Sequence, residues 1–324
     1  MAADATWPSG VPLGAATGVG SMPGLDLAAS QARILEILPG LPHLIELPAR
    51  GPGADLIGRT AALLTGLSVD LQPAGWRLVS RPGRDLRRAQ DLLSADLDTL
   101  AEVADGWTGP LKLQAAGPWT LAATLELARG DKALADPAAV ADIAASLADG
   151  LAAHVAHVHS LVPAATLIMQ LDEPALPAVL AGHVPTASGF SVLPTPDQPE
   201  LVARLAEVLA AVPFPGVHCC APRVPVGLIR SAGARWVSVD LTLRQDEDSL
   251  GEALEGGTGL VLGVDRVSSA RDLARRFALP PRTWTAGVVL SPRCGLAGES
   301  PEGALARLTA LATEAGRFAE DVLA

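Results

Sequence analysis

GVHCCAPRVPVGLIRSAGARWVSVD, residues 216–240, carries one complete structural unit. An apolar, β-rich run at 216–220 is followed by a stretch of helical period at 224–232 and a second β-rich run at 236–240. That order is the signature of a parallel strand–helix–strand unit. Both runs end in residues with chemistry to offer, His218-Cys219-Cys220 in the first and Asp240 in the second. Side chains alternate between the faces of a strand, so His218 and Cys220 leave one face together while Cys219 leaves the other.

The same alternation extends in both directions. Further β-rich runs at 16–21, 44–47, 111–115, 166–171, 259–264 and 287–291 bring the total to eight. Helical stretches at 25–38, 86–104, 137–162, 199–211, 268–277 and 301–323 lie between and after them. Eight β/α repeats in 324 residues predict an α/β fold, a (β/α)8 TIM barrel forming a single domain over residues 1–324, with 1–14 an irregular lead-in. Residues 67–82 break the alternation and read as a small excursion, a hairpin beside the barrel mouth.

Composition narrows the function. Apolar residues make up 49% of the chain and aromatic residues only 3%, so Ala, Val, Leu and Ile must build the core, as suits strands covered on both faces. A net charge of −11 with no run of Lys or Arg long enough to neutralise a phosphate backbone argues against nucleic acid as a partner. With no basic leader and no run of about 18 apolar residues, the expectation is a cytoplasmic protein with no membrane partner. Three cysteines, two of them adjacent, cannot make a disulfide framework, which leaves metal binding or catalysis as their better use.

In a barrel of this kind strand ends distant in sequence converge on one mouth, and chemistry is carried there. Cys294 follows the eighth run and Asp240 closes the sixth. Together with His218 and Cys220 they offer one imidazole, two thiolates and one carboxylate, a donor set suited to tetrahedral zinc and too soft for magnesium or calcium. Any one of them alone would read as a small buried hydrophobe or a satisfied core histidine.

Several stretches carry a family resemblance: Val19-Gly20-Ser21-Met22-Pro23, Gly117-Pro118, Gln170-Leu171-Asp172-Glu173-Pro174-Ala175-Leu176, His218-Cys219-Cys220, Val237-Ser238-Val239-Asp240 and Arg293-Cys294-Gly295-Leu296. In these the chain resembles the C-terminal catalytic barrel of cobalamin-independent methionine synthases. The resemblance implies a methyltransferase that forms methionine from homocysteine, with Zn2+ held by His218, Cys220, Asp240 and Cys294. Asp240 stands where the family carries Glu. The resemblance also implies Ser21 at the substrate carboxylate, and Glu46 and Asp172 at its ammonium group.

Two departures bear on the methyl donor. Complete family members have two barrels and this chain has the catalytic one. The histidine that the family places after the Asp of the seventh strand is absent from Val264-Asp265-Arg266-Val267-Ser268. Asp265 and Asp172 are then the candidate catalytic acids. The donor stays open between methyltetrahydrofolate, whose leaving group needs a proton, and a methylated corrinoid, free or on a corrinoid protein, whose leaving group does not. Two other readings stay open as well: a zinc- and thiol-binding barrel without transferase activity, and a thiol methyltransferase or decarboxylase of the uroporphyrinogen decarboxylase-like group.

Overall fold

The computed structural model describes residues 6–277 and 279–323. The first five residues of the expected irregular lead-in lie outside the described residues, and residues 6–14 form turns and irregular chain. Eight strands run in the order β1 (Ser68–Gln72), β2 (Gly75–Val79), β3 (Pro110–Ala116), β4 (Thr166–Asp172), β5 (Pro215–Cys219), β6 (Trp236–Asp240), β7 (Gly259–Gly263) and β8 (Val288–Ser291). The helices are α1 (Leu27–Ile37), α2 (Leu56–Ala61), α3 (Arg84–Val103), α4 (Pro118–Thr124), α5 (Pro137–Leu161), α6 (Leu176–Leu180), α7 (Gln198–Ala210), α8 (Val226–Ser231), α9 (Glu247–Glu255), α10 (Val267–Arg276), α11 (Pro281–Gly287) and α12 (Pro301–Leu323).

Strands β3 to β8 form one curled parallel sheet in sequence order, and each pair is joined by a helical crossover. The excursion is an antiparallel hairpin, β1 paired with β2 in the register Asp70↔Arg77. A closed ladder of eight strands, the expectation from sequence, is not what forms. Six of the eight runs are ladder strands, and the first two are extended segments held by single bridges, Ala16↔Leu290, Ser21↔Glu46 and His43↔Lys112.

Each bridge rests on a pair of backbone hydrogen bonds. Thr17 N donates to Leu290 O at 2.9 Å and Leu290 N to Ala15 O at 3.0 Å. Met22 N donates to Glu46 O at 2.8 Å and Glu46 N to Gly20 O at 3.1 Å. Leu44 N donates to Lys112 O at 2.9 Å and Lys112 N to Pro42 O at 2.9 Å. The two segments thus lie across the gap between the sheet's outer strands, giving a TIM-barrel-like arrangement with two irregular staves.

Side chains inside the curl are layered. Ile168, Trp236, Val261 and Val289 make an apolar floor with Leu41, closed from below by Trp7, whose Nε1 donates to Gly287 O at 3.1 Å. Above the floor the alternation places Lys112, Gln114 and Gln170 inward, all buried, where an apolar layer would be the ordinary choice. These polar groups take over where ladder bonds are missing: Lys112 Nζ and Gln170 Nε2 both donate to Val19 O at 2.9 Å, and Gln114 Nε2 donates to Leu44 O. A buried carbonyl left unpaired would cost about 1–3 kcal/mol, so the polar layer is what lets the first two staves stay irregular.

α5 is the one described helix long and apolar enough to cross a membrane by composition. In this fold its Val140, Ile143, Leu147, Leu151 and Val158 are buried in the core, which accounts for its hydropathy.

Candidate metal and substrate site

The end of β5 sends His218 inward, and His218 Nδ1 lies 2.8 Å from Ser238 Oγ on the neighbouring β6. That contact orients the ring and leaves Nε2, which is buried and has no hydrogen-bond partner among the described residues. Cys220 Sγ and Cys294 Sγ are 3.3 Å apart, and the ligand atoms of His218, Cys220 and Cys294 all lie within 4.8 Å of one another. Cys219 points the other way, as the period-two reading requires. It is fully buried in the apolar core, which pushes its thiol up to about 12.

Within the pair, the hydrogen bond between the two sulfurs holds Cys294 well below the usual thiol range and Cys220 above it, with His218 further favouring the Cys294 thiolate. The pair therefore behaves as a unit sharing one proton. An unpaired buried imidazole nitrogen beside two thiols, one of them readily ionised, fits zinc: three protein ligands with an open position are the arrangement of catalytic zinc sites.

Asp240 is not brought into this group. Its Oδ1 accepts from Thr242 N at 2.8 Å and from Thr242 Oγ1 at 2.7 Å, capping the turn that follows β6. A carboxylate one methylene shorter than glutamate meets the Thr242 donors of its own turn, and the reach to the thiols is lost.

Ser21, Glu46 and Asp172 do converge with the thiols. A cavity of about 160 Å³ is lined by these three together with His218, Cys220 and Cys294. A larger and more open cleft of about 720 Å³, between the segments 223–228 and 244–249 at the starts of α8 and α9, contains none of them. Ser21 is free of the helix-capping role that its position alone would suggest, because Asp26 caps α1 by accepting from Ala29 N at 3.0 Å. A Cβ on Gly295 would stand 2.0 Å from Ser21 Oγ, so only glycine at 295 leaves the hydroxyl its place.

Glu46 is buried, and its Oε1 has no hydrogen-bond partner among the described residues. Burial raises its pKa, opposed by Arg59. Asp172 Oδ1 accepts from Gln170 Nε2 at 2.8 Å, and burial, followed by the charge of Glu46, holds its carboxyl well above the usual range. Facing both is Lys112, a site residue that the sequence reading missed. Its Nζ donates to Gln170 Oε1 at 2.8 Å, and burial lowers it to about 8 against the pull of Asp172 and Glu46. The available signal was a lysine inside the apolar run Leu111-Lys112-Leu113 at an inward phase.

Glu173 and Asp265 lie apart from this chemistry. Glu173 is fully buried and accepts from Trp119 N at 2.9 Å, Thr120 N at 2.7 Å and Thr120 Oγ1 at 2.7 Å. It caps α4 from the neighbouring strand, and Gly117 must be glycine, since a Cβ there would stand 2.3 Å from Glu173 Oε1. Asp265 is about half exposed and faces Arg293 at 3.6 Å and Arg307 at 3.5 Å, outside the cavity that holds the thiols.

Burial outweighs the three donors and pushes Glu173 up to about 7 from 4.5. The folded protein thus holds this proton more tightly than the unfolded chain does. Its contribution to stability is present in full below pH about 4.5 and is lost as pH rises through about 7, an effect of up to about 3 kcal/mol. Urea titrations between pH 5 and 8 are expected to show this decline in the wild type and a flatter dependence in Glu173→Gln; equal slopes would contradict it.

The fold has a solved counterpart. A B12-independent methionine synthase from Shewanella sp. W3-18-1, in complex with selenomethionine, aligns with a TM-score of 0.63 over 96% of this chain and 99% of that chain, at 12% sequence identity. At that identity the likeness is one of fold, and it establishes the TIM-barrel-like arrangement. A Cellulomonas fimi endo-beta-1,4-mannanase double mutant aligns at a TM-score of only 0.39, with 12% identity over 68% of this chain and 58% of that one, and adds nothing to the argument. No protein-family model and no curated protein matches the sequence.

Proposed function

We propose that the protein is a zinc-dependent methyltransferase acting on the thiol of homocysteine. One observation carries this reading: two unpartnered buried polar atoms, His218 Nε2 and Glu46 Oε1, belong to residues that line the same small cavity as the thiols of Cys220 and Cys294. Buried polar atoms without partners are rare and point to a ligand. A cavity of about 160 Å³ lies well below the roughly 300–1,000 Å³ of drug-sized sites, in keeping with a small amino acid. The neighbour of like fold is a methionine synthase holding selenomethionine, which supports an amino acid of this class in such a cavity.

In this reading His218, Cys220 and Cys294 hold the zinc. When bound, the metal supplies a Lewis acid that lowers the pKa of a coordinated thiol and presents it as a nucleophile at neutral pH. The protein's own groups do the positioning. Glu46 Oε1 and Asp172 receive the ammonium group of the amino acid, and Ser21 Oγ donates to its carboxylate. Lys112 lies beneath the two carboxylates, so the three buried charges sum to one negative unit when all are ionised, matched by one ammonium. Asp240 keeps its turn with Thr242, so a substrate thiol would have no carboxylate to displace.

Asp265 lies away from the thiols and no histidine follows β7, which favours a donor whose leaving group needs no proton. We assign that role to a methylated corrinoid, as a free cofactor or on a corrinoid protein. Incubation of the zinc-loaded protein with homocysteine and either methylcobalamin or methyltetrahydrofolate tests this. Methionine is expected from methylcobalamin. Product from methyltetrahydrofolate alone would overturn the donor, and no product from either would leave a zinc- and thiol-binding barrel.

A further inference from the structure

Cys220 lies one residue beyond the last ladder pair of β5, Cys219↔Val239, so the sheet does not fix its position. The loop that follows must do so. Within that loop Arg223 adopts a left-handed backbone at φ 56°, a conformation that costs a non-glycine residue energy and persists only where the surroundings enforce it. One side chain supplies the enforcement. Gln245 Nε2 donates to Ala221 O at 3.1 Å and to Asp240 O at 3.0 Å, and Gln245 Oε1 accepts from Val224 N at 3.1 Å. Arg223 N adds one backbone bond, to Arg244 O at 2.8 Å.

A single amide therefore joins the loop after Cys220, the end of β6 and the turn before α9. We propose that Gln245 is a positioning residue that holds Cys220 against Cys294, setting both the geometry of the thiol pair and its affinity for zinc. The proposal rests on the zinc reading above. It needs both faces of the amide, because two acceptors and one donor of the backbone are satisfied at once. An isosteric methionine removes all three bonds and keeps the volume; glutamate keeps the acceptor for Val224 N and turns a negative oxygen toward two carbonyls.

Two measurements on the full chain test it. Competition with a zinc chelator is expected to show binding weakened about 10–100-fold in Gln245→Met, the range seen when groups supporting a metal ligand are removed, and further in Gln245→Glu. Ser146→Ala, which deletes a side chain-to-backbone bond to Thr65 O far from the thiols, should leave zinc affinity unchanged. In metal-free protein, iodoacetamide should alkylate Cys220 several-fold faster in Gln245→Met than in wild type, as read by mass spectrometry. Zinc affinity lowered equally in Ser146→Ala, or an unchanged Cys220 alkylation rate, would overturn the proposal. Failure of wild-type protein to bind zinc would instead overturn the functional reading, while the alkylation rates would still decide the role of Gln245.

Discussion

Serine in place of Cys220 or Cys294 is expected to weaken zinc binding by more than about 100-fold, a larger loss than follows from removing a supporting group. Each sulfur belongs to a group of three residues whose potential ligand atoms lie within 4.8 Å of one another, and hydroxyl is a poor substitute for thiolate on a borderline-soft metal. Asp240→Ala separates this geometry from the four-ligand set implied by the sequence. Its carboxylate caps a turn through Thr242, so its removal should cost about 1 kcal/mol of stability and leave zinc stoichiometry intact. Metal analysis after dialysis against a weak chelator reads all three variants. Zinc retained in both cysteine variants would dissolve the site, and zinc lost in Asp240→Ala would restore Asp240 as a ligand.

Lys112→Met is expected to destabilise the protein by about 3 kcal/mol at pH 7. The ammonium donates to Val19 O at 2.9 Å and Gln170 Oε1 at 2.8 Å, and its charge interacts with both carboxylates, Asp172 and Glu46. Methionine fills the volume but leaves Gln170 Oε1 without its donor and two carboxylates facing each other in a low-dielectric interior. Part of the burial cost of the lysine itself is recovered, which keeps the figure at the low end of the roughly 3–5 kcal/mol for breaking a buried ion pair. The carboxylates escape their repulsion by taking up protons, so the loss should shrink at pH 5. Urea unfolding at both pH values checks this; equal or greater stability of Lys112→Met at pH 7 would show that the polar layer does not depend on the charge.

The strand–helix–strand unit at 216–240 was legible because period-two alternation and helical period are local properties. They placed His218 and Cys220 on one face and Cys219 on the other, and the structure agrees. The first two staves were legible only as extended runs. Their irregularity follows from Lys112, Gln114 and Gln170 taking carbonyls that a ladder would have used, a tertiary substitution with no local signature. α4 had no legible period because the first six of its seven residues are all buried, leaving no polar face. The direction of Asp240 was equally hidden, since a strand pattern gives the face of a side chain and not whether its own turn will claim it. The role of Glu173 had no local signal, since the helix it caps, α4, precedes it by some fifty residues and meets it only across the sheet.

The central claim is that this cavity takes a thiol amino acid and holds its sulfur deprotonated. Calorimetry of homocysteine binding to zinc-loaded protein at pH 7, repeated in buffers of different ionisation enthalpy, tests it most directly. A free thiol is mostly protonated at that pH, so about one proton should be released per homocysteine bound, and homoserine, which has no thiol, should bind weakly and release none. Homocysteine binding without proton release, or homoserine binding as tightly, would contradict the account.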